Sequence, residues 1–336
     1  MNRITWRLLS AIPTLFGVVV ATFLITRVLP GDPAVFFASN PAMSAEDVDR
    51  LRAALGLDKP LIEQFRLYLY ALSQGDLGRS LVTGQPVATE MLTRLPASLE
   101  LTVFAFGLAM AVAIPLGVMA AVRPGTWIDQ TCRIIATLGV SMPTFVTGLL
   151  LIYVFYYLLG IAPEPTGRID PFLFKPPAVT GLITIDALID GTPATAAAAL
   201  QQILLPGITM ALFALAPIAR MTRASMLTAL SSDYIRTARA HGLSRRKILL
   251  SYGARNAMLP VVTSLGMVFS YMLGANVLVE KVFAWPGIGA FAMDSLMSLD
   301  YAPLQAFMLI MAAIFVLVNL LTDLVAGLID PRVRLT

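Results

Sequence analysis

The densest constellation of charge in this chain lies between Arg220 and Arg255, where eight Arg and Lys residues accompany a single acid, Asp233. Its central part, Asp233 to Thr263, reads DYIRTARAHGLSRRKILLSYGARNAMLPVVT and joins two apolar stretches of membrane-spanning length. The chemistry available to such residues is docking, not bond-breaking. Tyr234 to His241 fits two helical turns, with Tyr234, Ala238 and His241 on one face. Gly242 is expected to end that helix, because the residue after a helix often takes a left-handed conformation that glycine tolerates. Ser244 is placed to cap a second helix, which opens with Arg245, Arg246 and Lys247. Small residues at Ala238, Ala240 and Gly242 permit close approach of a partner. Two readings stand at this point: a solvated basic loop, and a surface built to fold against something.

Other residues offer little chemistry. One histidine, His241, argues against a His-based zinc or haem site, and one cysteine, Cys132, excludes an intramolecular disulfide and a Cys-rich metal centre. There is no G-x-x-x-x-G-K-[ST] phosphate loop; the chain has four lysines and none follows a glycine. ATP is therefore not held here in the usual way. Neither H-E-x-x-H nor G-x-S-x-G occurs, so intramembrane hydrolysis has no candidate centre. Two acids lie near the ends of apolar stretches. Glu280, beside Lys281, is expected at the outer interface. Asp323, with Asn319 one turn before it, is either an ion-linked acid or half of a structural pair with Arg332.

The elements that position these residues are membrane helices. Of all residues 57% are hydrophobic and 13% are charged, against about 25% charged in soluble domains. Mean hydropathy is +0.79. The net charge of +4 follows loops between spans and is no nucleic-acid signal. Six stretches reach the roughly 20 apolar residues that cross a bilayer: Leu8 to Val28, Leu99 to Val122, Ile134 to Ile161, Ile203 to Ala219, Met258 to Val279 and Leu304 to Ile329. The first is too long for a signal-peptide core and reads as an uncleaved span. Short loops carrying Arg3, Arg7, Arg123, Arg133, the eight-charge segment, Arg332 and Arg334 put both termini in the cytoplasm.

Residues 30–98 read as an outside insertion. One amphipathic helix starts at Ala45 behind Ser44, and a second starts at Pro60 and closes near Gly75. Leu51, Leu55, Phe65, Leu69 and Leu72 form apolar faces that need cover, either from a partner or from the chain itself. No fold is assigned to residues 162–202. Prolines at Pro115, Pro143, Pro206, Pro217 and Pro260 are expected to interrupt spans, an irregularity tolerated beside a water-lined cavity. Ser141, Met142, Pro143, Thr144, Thr209 and Asn276 are the pathway candidates. Gly107, Gly117, Gly139, Gly148, Gly266 and Gly274 read as helix-packing contacts.

The succession of helix, Gly242, second basic helix and Pro260 opening the next span resembles the cytoplasmic coupling segment of ABC importer permeases, in particular the B-type subunit of dipeptide and oligopeptide transporters. Aligned on Gly242, the wider family motif places Arg236, Thr237 and Ala238 at its EAA positions, where only Ala238 and Gly242 match. Its proline falls at Arg255, whereas here the Leu-Pro pair is Leu259 and Pro260. The peptide-permease B type shares these departures, with segments similar to YIRTARAKGL followed by LRNALIPVVT. LPGDPA, LGLDKP, GDLGRS, RLPASLELT, IDQT, SMPTF, ILLPGITM, RMTRASML, FAWPGIG and LIDPRVR extend the resemblance along nearly the whole chain.

The resemblance implies an all-α polytopic membrane protein with six transmembrane helices, the type I ABC importer permease fold and a partly helical extracytoplasmic insertion. Residues 1–29 would form the first span, 30–94 the insertion, 95–329 the permease core with its 229–257 coupling segment, and 330–336 a cytoplasmic tail. The chain would sit in the inner membrane, among lipid, as a non-catalytic subunit without a cofactor of its own. A second homologous permease subunit would complete the pathway, two ATPase subunits would bind ATP and Mg, and an extracytoplasmic binding protein would deliver di- or oligopeptides. Tyr234, Arg236, Ala238, Ala240, His241, Gly242, Arg245, Arg246 and Lys247 would couple to the ATPases. Related B-type permeases also serve glutathione and nickel complexes. A reading from another class is an ion-driven secondary transporter using Asp323.

Overall fold

The computed structural model of the protein describes residues 3–28, 45–54, 56–170 and 172–329. Helices dominate, as the long apolar runs require: with no water in the hydrocarbon layer, backbone groups must be satisfied within each segment. No β-strand forms among the described residues; one isolated bridge joins Arg79 and Pro86. The chain divides into two compact units, Met1–Ser98 with Pro286–Ile314, and Leu99–Trp285 with Phe315–Thr336.

In the first unit, α1 spans Arg3–Val28. Its Thr26 hydroxyl bonds back to the Thr22 and Phe23 carbonyls. Helix α2 spans Ala45–Ala54 and α3 spans Leu61–Ser73. The Ala45 start agrees with the sequence reading, although its cap, Ser44, and also Leu55 lie outside the described residues. Pro60 precedes α3 by one residue and does not open it. Phe65 and Tyr68 of α3 pack on Phe23 of α1, with ring centroids 5.1 and 5.8 Å apart. The chain itself thus covers part of the apolar face, while Ile62 and Tyr70 point outward. Helix α4 begins at Val87 and runs to Val122, through Pro115 and well ahead of the expected span start. Val87 and Met91 form a core with Ile288 and Phe291 of α12 (Ile288–Met297) and Ala306 of α13 (Tyr301–Ile329).

In the second unit the succession is α5 (Trp127–Ser141), α6 (Thr144–Leu151), a π-helical turn at Ile152–Leu158, α7 (Ile183–Ile189), α8 (Pro193–Leu230), α9 (Asp233–Ala240), α10 (Arg245–Lys247), a second π-helical stretch at Ile248–Ala254, and α11 (Arg255–Val282). Helix α8 is the buried centre, packed by α5, α6, α7 and α11. It passes unbroken through Pro206 and Pro217, so the fourth span is far longer than its apolar centre, Ile203 to Ala219. The unassigned loop before α8 is organised by an ion pair and by hydrogen-bonded turns. Arg168 binds Glu100 and the Gly181 carbonyl, and Glu100 also accepts the Thr184 N–H. Asp186 accepts from the Thr180 N–H and hydroxyl and from the Gly181 N–H.

Among the described residues four helices are long and apolar enough to cross a membrane: Val87–Val122, Pro193–Leu230, Arg245–Val282 and Tyr301–Ile329. The first and third expected spans are shorter as apolar helices, Ala11–Arg27 and Thr144–Leu158. The third is broken. Pro143 disfavours helical conformation at the preceding residue, and Met142 is extended, with φ −112° and ψ 134°. Pro260, expected to open a span, lies inside α11; the helix is continuous from Arg245 to Val282.

Four of the six proposed packing glycines lie in close helix contacts. A Cβ at Gly139 would come within 2.8 Å of the Leu212 carbonyl, and one at Gly266 would overlap the Thr322 hydroxyl. Gly117 and Gly148 are similarly close to neighbours, whereas Gly107 and Gly274 face open space. Gly207, which its sequence neighbours do not single out, abuts the Phe104 ring.

Candidate functional site

The basic segment is built as a short amphipathic helix hung on one aliphatic cluster. Helix α9 buries Ile235 and Ala238 against Ile248, with Leu243 packed on the cluster. It stops as the sequence requires. Gly242 has φ +72°, its N–H bonds to the Arg239 carbonyl at 3.0 Å, and the Leu243 N–H bonds to the Ala238 carbonyl at 3.2 Å. This pair of bonds satisfies carbonyls that the helix end would leave open. Ser244 accepts the Lys247 N–H, which starts α10.

Tyr234, Arg236, Ala240, His241, Gly242, Arg245, Arg246 and Lys247 are all exposed. Ala238 is 5% exposed, so it does not share an open face with Tyr234 and His241. Its three-residue spacing from Ile235 puts it on the seated side of the helix. The surface left open carries five cations, Arg236, Arg239, Arg245, Arg246 and Lys247, beside Asp233.

The chain on either side of α9 is fixed. Met226 and Ala229 of α8 pack with Ala121 of α4 and Ala257 of α11. Asp129, in the first turn of α5, is 4% exposed and receives two bonds from Arg223 of α8, Nε to Oδ1 at 2.5 Å and Nη2 to Oδ2 at 2.9 Å. The Gly125 N–H also donates to it, at 3.0 Å. The Arg223 bonds, helped by the Gly125 N–H, hold the Asp129 carboxyl at about 2, below its ordinary value of 3.8. Sequence reading noted IDQT and RMTRASML as tags but missed this pair, because 94 residues separate its members.

The pathway candidates fall into two sets. Ser141, Met142, Pro143 and Thr144 sit at the break in the third span; the first three are exposed and Thr144 is half-buried. Thr209 and Asn276 are buried, at 0% and 3% exposure. Thr209 bonds back to the Leu205 carbonyl. Asn276 Nδ2 donates to Glu280 Oε1 at 2.8 Å and to Thr102 Oγ1 at 3.3 Å. Glu280, expected at the outer interface, is fully buried in this cluster; Asn276, one turn earlier on the same face, supplies a donor that makes burial tolerable. Asp323 is half-buried, and the partner expected for it, Arg332, lies outside the described residues.

This arrangement, a docked basic helix beside a helical membrane core with one broken span, agrees with comparisons to known proteins. The family of binding-protein-dependent transport system inner membrane components matches residues 113–335, and the N-terminal component family of the same systems matches residues 1–102. A probable D,D-dipeptide transport system permease protein of Escherichia coli K12 is 44% identical over 317 residues, covering 94% of this chain and 93% of the relative. A dipeptide transport system permease protein of the same strain is 41% identical, covering 98% and 97%. A glutathione transport system permease protein, also from that strain, is 39% identical, covering 99% of both. The chain therefore belongs to the family of inner-membrane components of binding-protein-dependent transport systems, the ABC importer permeases.

Proposed function

We propose that the chain forms half of the translocation pathway for di- or oligopeptides, in a complex with a second homologous permease, two ATPase subunits and an extracytoplasmic binding protein. It has no catalytic role and no cofactor of its own; ATP and Mg are bound by the ATPases. The observation that carries this reading is the exposed cationic face of α9 and α10, held by three buried side chains between the two longest helices of the second unit. Conformational change enters through Tyr234, Arg236, Ala240, His241, Gly242, Arg245, Arg246 and Lys247, with Ala238 seating the helix beneath them. The peptide substrate is supported by the names of the relatives. Uptake into membrane vesicles should require ATP and survive an ionophore. Uptake driven by an ion gradient without ATP would overturn the assignment in favour of a secondary transporter.

Six spans, with α1 and the broken α5–α6 pair joining the four long apolar helices, place both termini and α9 in the cytoplasm and residues 45–80 outside. The motive is the basic charge on short loops. Ser80 is 2% exposed and bonds to Asp300, so labelling must use the exposed Ser73 and Ser231. With Cys132 replaced, a single cysteine at Ser73 should react with an impermeant reagent in cells whose inner membrane is intact. One at Ser231 should react only after lysis. The reverse pattern would invert the topology.

A further inference from the structure

Within the unit of Met1–Ser98 and Pro286–Ile314, a cavity of about 130 Å³ opens beside the last turn of α1 and the first turn of α13. Arg27, Leu57, Arg79, Asp300, Tyr301 and Gln305 line it. Asp300 is 1% exposed. Its Oδ2 accepts the Ser80 hydroxyl at 2.6 Å and the Val82 N–H at 3.3 Å. Its Oδ1 is buried and receives no hydrogen bond among the described residues.

Two arginines line this space, Arg27 half-buried and Arg79 exposed. Arg27 lies 5.2 Å from the Phe23 ring centroid and 5.7 Å from that of Tyr301, and donates Nε to Gln64. Arg79 donates to the Gly84 carbonyl. Neither pairs with Asp300, although all three line one small cavity. An uncompensated buried carboxylate is costly, and buried polar atoms normally find a partner. Water would give Asp300 a donor but would leave the half-buried Arg27 without an anion. A zwitterion complements all three groups at once.

We propose that this cavity binds the headgroup of an aminophospholipid, with its primary ammonium against Asp300 and its phosphate against Arg27 and Arg79. The membrane supplies the ligand because Leu24, three residues before Arg27 on the same side of α1, is 48% exposed and continues the site onto an apolar helix surface. Arg and Tyr at such a helix end are also the side chains that settle at a membrane–water interface. A free peptide, with ammonium and carboxylate termini, has the same chemistry and is the other source to separate.

Native mass spectrometry of the full-length chain, purified with its transport complex in an equimolar mixture of phosphatidylethanolamine and phosphatidylcholine, tests this. Phosphatidylcholine keeps the phosphate but has no N–H to donate. The wild type should retain phosphatidylethanolamine over phosphatidylcholine by about tenfold, the scale of one charge-assisted hydrogen bond. Asp300→Asn should reduce the preference toward unity, Arg79→Gln should lower retention of both lipids while leaving the preference in place, and excess dialanine should not displace the lipid. Equal retention of both lipids by the wild type overturns the site, whatever the variants do. A preference that survives Asp300→Asn overturns the role of the carboxylate. Displacement by dialanine overturns the lipid assignment and identifies a peptide-end site.

Discussion

Asp129→Ala is expected to destabilise the protein by about 3 kcal/mol, because removing one partner leaves the other charge of a buried pair uncompensated. Arg223 would keep its position on α8 without the carboxylate that takes two of its nitrogens. The midpoint of heat-induced loss of monodisperse protein in detergent measures the effect. Arg223→Ala should cost a similar amount. The double substitution should cost clearly less than the sum, since both remove one interaction. A strictly additive cycle would show that the pair contributes nothing.

The same pair sets a pH dependence. Asp129 has a folded-state value of about 2 against an ordinary 3.8. A depressed carboxyl stabilises the fold above its unfolded value and loses that contribution as pH falls through the folded value. The stability gap between wild type and Asp129→Ala should therefore be flat from pH 5 to pH 8, in terms of this group, and close between about pH 4 and pH 2. A gap that closes near neutrality would assign the effect to another group.

Gly242→Asp should reduce uptake by roughly tenfold or more, equivalent to about 1.4 kcal/mol of lost docking, while leaving substrate recognition by the binding protein intact. Gly242 has φ +72°, and nothing lies within 4 Å of the position a Cβ would take. Within the chain the penalty is thus only that of a left-handed side-chain residue, about 1 kcal/mol. Any larger effect must come from what sits against the exposed surface, where the substitution adds a negative charge. Gly84→Asp is the matched control. Its φ is +68° and its surroundings are equally open, so it carries the same backbone penalty away from α9. If both variants transport equally well, the segment is a basic connector and the coupling proposal is wrong.

Local signals were the legible ones. The end of α9 at Gly242, the Ser244 cap and the Ala45 start depend on residues within one or two turns of each other, and the structure has each of them. Residues that meet across helices were not legible. Asp129 and Arg223 carry no shared spacing, and Gly207 gives no sign of the Phe104 ring beside it. Some signals were present but misread. Ile235 and Ala238 are three apart, as a seated face requires, and Asn276 lies four before Glu280 as a ready donor. Proline was a poor guide to breaks. Pro206, Pro217 and Pro260 are absorbed within continuous helices, whereas Pro143 breaks one, with Met142 extended ahead of it.

Helix α9 hangs between two rods of 38 residues each, Pro193–Leu230 and Arg245–Val282. At 1.5 Å per residue each rod is about 57 Å long, nearly twice the hydrocarbon thickness of about 30 Å. Neither has an interruption at which an angular displacement could dissipate, apart from the π-helical stretch that starts the second. Pivoted at one end, such a rod converts a tilt of about 10° into a sweep of about 10 Å at the other. If, as proposed, the ATPases push on the side chains of α9, a displacement of atomic scale there would be geared up, by leverage alone, to about 10 Å at the other ends of these rods.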